Sequence, residues 1–160
     1  MATLSPRSAS ATNDLWSDRP LAKKTFNCTV ITPEERLLDE EVTYVNIPLH
    51  DGLMGILPGR SPILAKLGLG ELKITSAEGG DRSYMLEDGF AQMVGDSLTL
   101  LAKAATPVET LSEEEAKAEL AEANARTAGE GEEMRKITRD RDRARLKMRL
   151  ARTFRESGAI

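Results

Sequence analysis

Side chains that could carry out acid–base or nucleophilic chemistry are scarce in this sequence. His50 is the only histidine and Cys28 the only cysteine among 160 residues. A lone histidine beside Asp51 cannot form a histidine cluster, so we interpret it as a turn residue rather than a general base. Cys28 cannot form an internal disulfide, and its place in an alternating run favours a buried strand position. We therefore expect no catalytic residue and no metal site.

Motifs for phosphate and nucleic-acid binding are also incomplete. The glycine pairs Gly52/Gly55 and Gly68/Gly70 lack the Lys-Ser/Thr of a P-loop and the GxGxxG context of a dinucleotide fold. The basic run 139–155 contains one aromatic residue, Phe154, and the net charge of the chain is −4. This pattern argues against a nucleic-acid partner. No apolar run approaches the ~20 residues that span a bilayer, so we expect no direct membrane insertion.

Residues 25–106 are predicted to form a β-sandwich or flattened barrel. Short alternating segments are separated by turn signals, a pattern typical of that architecture. The predicted strands are Thr25–Thr32, Glu41–Leu49, Gly70–Ala77, Ser83–Glu87, Phe90–Val94 and Ser97–Ala102. In the second strand, alternation predicts Val42, Tyr44 and Asn46 on one face. It predicts Thr43, Val45 and Ile47 on the other face.

Residues 109–156 are predicted to form an antiparallel helical hairpin, which makes the fold class α+β. Ser112, followed three residues later by Glu115, resembles a capping box for a first helix over Glu113–Thr127. Gly129 and Gly131 interrupt the pattern before a second helix over Glu133–Glu156. A thin apolar stripe on the second helix predicts reversible docking. It consists of Ile137, Ala144, Met148 and Ala151.

The two helices differ sharply in charge. Residues 112–133 carry eight acidic and two basic side chains, whereas residues 134–156 carry ten basic and three acidic ones. Mutual attraction of the helices explains part of this split, at about 0.5 kcal/mol for each surface pair. The remaining positive charge leaves the second helix able to dock on an acidic partner.

The segment Asp51–Leu64 combines three glycines and two prolines with apolar residues. Glycine tolerates positive φ, and proline fixes φ and removes a donor, so we predict a compact turn system between strands. Residues 1–24 contain neither helical periodicity nor the apolar core of a secretion signal, and we interpret them as a disordered extension.

Several of these segments resemble, in the same order, the epsilon subunit family of F-type ATP synthases, which is equivalent to the mitochondrial delta subunit. The Asp51–Leu64 text is similar to the family's "EGxxGILPGHAPLL". Glu87–Ala91 is similar to "SGGFLEV", and Asp96–Ala102 to "NxVTVLAD". Val30–Glu34 and Leu67–Ile74 also match. The resemblance covers about residues 25–155 and is stronger in the β-domain than in the helices.

The resemblance implies a non-catalytic subunit of the central stalk. It implies a sandwich that contacts the gamma subunit and the ring of c subunits, and a hairpin that regulates ATP hydrolysis at the alpha and beta subunits. Candidate rotor contacts are Asp51, Gly52, Leu53, Met54, Gly55 and Arg60. We expect Leu53 and Met54, at the tip of the loop, to be exposed in the isolated subunit and buried against the c-ring. Candidate regulatory residues are Arg139, Arg143, Arg145, Arg149 and Arg152. The implied location is peripheral on the cytoplasmic face of a bacterial plasma membrane, with an organelle inner or thylakoid membrane as the alternative.

Four positions depart from the family pattern. Arg60 stands where the family has histidine, and Leu53 stands where an acidic residue is common. The ATP-binding text of some members, Ile/Leu-Asp-x-x-Arg-Ala, corresponds here to Leu111–Ala116, with Ser112 and Glu115 in place of the acid and the arginine. Phosphates would therefore meet negative charge, and we expect no cofactor. The alternative function is a free-standing nucleotide or anion sensor, in which a helical lid closes over the ligand and Arg143 and neighbouring arginines bind the anion.

Overall fold

The computed structural model describes residues 23–127 and 130–158, so nearly all of the predicted N-terminal extension lies outside the described residues. The seven strands are β1 (Phe26–Ile31), β2 (Arg36–Leu49), β3 (Gly52–Ile56), β4 (Ile63–Leu67), β5 (Gly70–Ser76), β6 (Asp81–Val94) and β7 (Ser97–Pro107). A short 3₁₀ helix, Val108–Thr110, leads to helices α1 (Glu113–Ala125) and α2 (Glu132–Ser157). The predicted fold class is confirmed.

The strands close on themselves through β1. This strand pairs antiparallel with β2 on one side and parallel with β7 on the other. β5 connects β2 to β6, and β6 pairs with β7, which completes a flattened barrel. The barrel interior is filled by aliphatic side chains together with Phe26, Cys28 and Tyr84. Cys28 is fully buried, as its place in an alternating run predicted.

A bulge in β2 overturns the predicted faces of that strand. Val42 pairs with Ser76 and Tyr44 with Thr75, so Thr43 is the extra residue. The extra residue shifts the inward side of the strand by one position. Val42, Val45 and Ile47 are consequently all buried, while Tyr44 is exposed.

Two other strand predictions were wrong. The segment Asp51–Leu64 is not a turn system throughout, because it contains β3 and the start of β4, joined by residues 57–62. Ser83–Glu87 and Phe90–Val94 are parts of one long strand, β6, rather than two. In both cases the glycines suggested chain reversals, but ladder pairing with β2, β4 and β7 keeps the backbone extended.

Helix α2 lies between α1 and the barrel. The predicted cap is present, since the Ser112 hydroxyl accepts a hydrogen bond from the Glu115 amide at 3.3 Å. On the side of α2 that contacts α1, Ile137, Ala144 and Ala151 are buried. At 100° per residue, Leu146 and Leu150 lie on the opposite side. They pack with Met85 and Val108 of the barrel.

The predicted apolar stripe was therefore incomplete. It included the α1-facing residues of α2 but not Leu146 and Leu150, which attach the helix to the barrel. Helix α1 ends two residues before its predicted limit, and α2 extends one residue beyond its predicted limit at each end. The barrel and hairpin limits, 25–106 and 109–156, stay a prediction.

Candidate docking surfaces

The first candidate surface is the tip formed by the β2–β3 turn and β3. Asp51, Gly52 and Leu53 are exposed, and Leu53 retains 69% of its accessible surface. Met54 is half-buried against the barrel core, so the prediction that both apolar residues would be exposed was wrong for Met54. The difference follows from strand geometry, because neighbouring residues of β3 point to opposite faces.

Two contacts connect the tip to neighbouring parts of the barrel. The Arg60 guanidinium donates a hydrogen bond to the Gly55 carbonyl at 3.0 Å, which joins the turn after β3 to the strand itself. A Cβ atom at Gly55 would lie 2.8 Å from the Tyr44 hydroxyl oxygen. Gly55 thus allows the Tyr44 ring to cover the strand. The predicted contact residues Asp51, Gly52, Leu53, Gly55 and Arg60 form one exposed group, and Met54 supports it from inside.

The second candidate surface is an outer apolar face on β4, β6 and β7. It consists of Leu64, Phe90, Val94 and Leu101, which are between 51% and 75% exposed. Phe90 pairs directly with Leu101, and Leu64 pairs with Gln92, so the side chains share one face of the sheet. Ala91 and Met93 of β6 point inward and are buried. Contiguous exposed apolar residues of this kind mark interaction sites.

The sequence of β6 contains a pattern that predicts this outer apolar face. In Phe90–Val94, apolar residues occupy both alternating positions, interrupted only by Gln92. A strand with two apolar faces needs a cover on each side. The barrel interior supplies one cover, and a partner can supply the other.

The arginines of α2 have different surroundings. Arg143 forms an ion pair with Glu87 of the barrel at 2.8 Å, and Arg139 pairs with Asp88. Arg152 pairs with Glu113 of α1 at 3.0 Å. Arg145 contacts Asp142 of its own helix at 3.7 Å. Arg149 is exposed and forms no ion pair with another described residue.

Glu113 is the most strongly perturbed carboxylate of the hairpin. Lys117, Arg152 and Arg155 each approach it within 3.0 Å. Hydrogen bonds from Lys117, and then from Arg152, lower the pKa of Glu113 from its ordinary value of 4.5 to about 2. Attraction between an acidic and a basic helix is thus present in the fold, as the charge split predicted.

The two remaining reactive side chains, Cys28 and His50, have different surroundings. Burial, followed by the charges of Glu40 and Asp39, raises the pKa of the Cys28 thiol to about 12. His50 lies exposed in the turn between β2 and β3. Within residues 23–127 and 130–158, no three His, Cys, Asp or Glu side chains are grouped to hold a metal ion. The same part of the chain contains no helix that is both long and apolar enough to cross a membrane.

Comparison with known proteins agrees with this description. Residues 25–108 match the family model described as ATP synthase, Delta/Epsilon chain, beta-sandwich domain. The chain is 40% identical over 98 residues to the ATP synthase epsilon chain of Rhodopirellula baltica, covering 61% of this chain and 76% of the relative. It is 42% identical over 90 residues to that of Jannaschia sp., covering 56% and 67%.

Similarity also extends to solved structures. A chain of the Euglena gracilis mitochondrial ATP synthase, solved as OSCP/F1/c-ring, aligns with a TM-score of 0.64 at 21% identity, covering 96% of this chain and 99% of that chain. A chain of the Tetrahymena thermophila central stalk and c-ring aligns with a TM-score of 0.59 at 15% identity, covering 81% and 98%. At these identities the likeness shows the fold alone. The family match and the related sequences confirm the resemblance inferred from the sequence, and the chain belongs to the delta/epsilon chain family of ATP synthases.

Proposed function

We propose that this chain is a non-catalytic central-stalk subunit of a proton-translocating ATP synthase and that it couples rotation of the c-subunit ring to the gamma subunit. The observation that carries the proposal is the outer apolar face of Leu64, Phe90, Val94 and Leu101 on a closed barrel. The names of the related chains and of the similar structures support the same assignment.

The two surfaces suit two different partners. Transmission of torque between two subunits requires a permanent interface. Permanent interfaces are broad and apolar at their centre. We therefore assign the outer apolar face to gamma. The tip around Leu53 is small and carries one strongly exposed apolar side chain, which suits contact with the loops of the c-ring.

Regulation belongs to the hairpin in this proposal. With α2 released from the barrel, its arginines would be available to acidic segments of the alpha and beta subunits. At about 1.5 Å per residue, the 26 residues of α2 reach about 39 Å along a shaft. Arg145 and Arg149 are already exposed in the folded hairpin.

The proposed location follows from the partners. A subunit bound to gamma and the c-ring is peripheral to the membrane that holds the ring. The bacterial source of the related epsilon chains favours the cytoplasmic face of a plasma membrane.

The sensor alternative has less support. It assigns the anionic ligand to Arg143 and neighbouring arginines, but in this structure the Arg143 guanidinium contacts Glu87 at 2.8 Å and Asp140 at 3.5 Å. Two carboxylates beside one guanidinium oppose the approach of an anion.

Co-purification with gamma tests the docking assignment. The double change Leu64→Ser and Phe90→Ser removes apolar area from exposed positions, so the barrel should fold while gamma binding falls at least tenfold. Met134→Ser is the matched control, because Met134 is an exposed apolar residue on α2, 45% accessible. Undiminished gamma binding by a folded double variant would contradict the assignment.

A further inference from the structure

The barrel carries an unusual backbone feature directly beneath α2. Asp88 has φ of +46° and is the one non-glycine residue with positive φ in the described part of the chain. Glu87 pairs with Ala104 and Gly89 with Ala102, so the register of β6 against β7 is unchanged across Asp88, which lies opposite Lys103. At Gly89, whose φ is +133°, a Cβ would lie 1.9 Å from the Leu101 carbonyl oxygen. Backbone strain of this kind often marks a functional position.

The positive φ of Asp88 interrupts the regular strand backbone, and two consecutive carboxylates contact one helix. Neighbouring residues of a regular strand point to opposite faces. Here Glu87 pairs with Arg143 and Asp88 pairs with Arg139. The two arginines are four residues apart, one turn of α2, and therefore lie on the same side of the helix. The spacing of the acids on the barrel thus matches the spacing of the arginines on the helix.

The contact of Arg143 with the barrel leaves one hydrogen-bond donor without a partner. The Arg143 guanidinium uses its terminal nitrogens for Glu87 and Asp140, while its buried Nε has no hydrogen-bond partner. An unpaired buried donor costs free energy that release of the helix would recover. The apolar attachment nearby is also small, with Leu146 and Leu150 as its buried contributions from α2.

We infer that Glu87 and Asp88 form an internal substitute for the acidic partner of α2, an arrangement that we call the acidic clasp. The inference rests on the proposed regulatory role of the arginines. In the folded hairpin, Arg139 and Arg143 are occupied by the clasp. Arg145 and Arg149 remain exposed and make the first contact with an acidic surface. That surface then displaces the clasp by competing for Arg139 and Arg143.

Hydrogen exchange of the isolated full chain tests the clasp. In Glu87→Gln/Asp88→Asn the charges are removed without a change of shape, and Asn adopts positive φ as readily as Asp. We expect exchange of the α2 amides to accelerate about threefold to tenfold at low salt. The wild-type rate should approach that of the variant near 1 M salt, where charges are screened within about 3 Å.

The matched control is Glu34→Gln/Glu35→Gln, which removes the same charge from the exposed β1–β2 turn. It should leave α2 exchange unchanged. Adding poly-L-glutamate as the acidic probe should accelerate α2 exchange in the wild type and have a smaller effect in the clasp variant. Unchanged exchange in the clasp variant, an equal change in the control, or no effect of poly-L-glutamate on the wild type would overturn the inference.

The outcome is separable from that of the proposed function. Exchange is measured without gamma or the c-ring, so failure of gamma binding does not affect the result. If the clasp variant exchanges faster and responds less to poly-L-glutamate, the clasp is supported even where assembly with gamma fails.

Discussion

Glu113 of α1 pairs with Arg152 and Arg155 of α2, and its ionisation should affect the stability of the hairpin. Its pKa is lowered by the contacts with Lys117, Arg152 and Arg155. Because the pKa of Glu113 is lower in the folded state, its ionised carboxylate stabilises the fold at pH values above its ordinary pKa of 4.5. This contribution is lost as pH falls from 4.5 through about 2.

We therefore predict that Glu113→Gln lowers the unfolding temperature of the hairpin at pH 7. The difference from wild type should shrink as pH falls below 4.5, because protonation of Glu113 makes the two proteins alike. Thermal unfolding followed by helical circular dichroism measures this, with Glu114→Gln, an exposed neighbour, as the control. A constant difference down to pH 2 would show that charge is not the cause.

The exposure of single side chains could be predicted from the sequence only in part. Leu53 and His50 occupy the predicted exposed tip and turn, because their surroundings are set by neighbours in sequence. Tyr44 and Met54 were misplaced. Their orientation depends on pairing with distant strands: a bulge opposite Thr75 turns Tyr44 outward, and β3 pairing turns Met54 inward. The register between two strands cannot be predicted from the sequence of one strand alone.

The helices were predictable because their signals are local. Ser112 caps α1 as its spacing to Glu115 indicated, and a run without glycine defines the first helix. The attachment of α2 to the barrel was not predicted. It depends on two leucines that meet Met85 and Val108, residues distant in sequence whose position only the folded chain defines.

Leu150 should be the most sensitive single residue of that attachment. It is 3% exposed, and truncating a buried leucine typically costs about 2–5 kcal/mol. We predict that Leu150→Ala accelerates hydrogen exchange throughout α2 while the amides of β1, β2 and β5 keep their protection. Met134→Ala, at an exposed position of the same helix, is the control. Loss of protection in the barrel as well would show that barrel and hairpin unfold together.

Taken together, the barrel has a core that does not depend on the hairpin. The large buried cluster belongs entirely to the strands, and the hairpin contributes only to the smaller cluster around Met85 and Val108. We predict that a chain lacking residues 109–160 unfolds in one cooperative transition in urea. A molten or aggregated product would contradict this independence.

The same truncation addresses regulation. If α2 restrains the catalytic subunits through its arginines, assembled complexes that contain the truncated chain should hydrolyse ATP faster than those with the full chain. The difference should decrease with rising ionic strength, because exposed charges are screened over about 8–10 Å in physiological salt. Equal rates at all salt concentrations would make the hairpin a structural support without regulatory effect.

Coupling itself is measured most directly by proton-driven ATP synthesis in membranes reconstituted with this chain. The full chain should restore synthesis to membranes depleted of it, and Leu64→Ser/Phe90→Ser should not, because the outer apolar face no longer holds gamma. Leu53→Asp should restore synthesis only partly while leaving the barrel folded, since Leu53 is exposed at the tip. Membranes that synthesise ATP equally well without the chain, or with the folded double variant, would contradict the account.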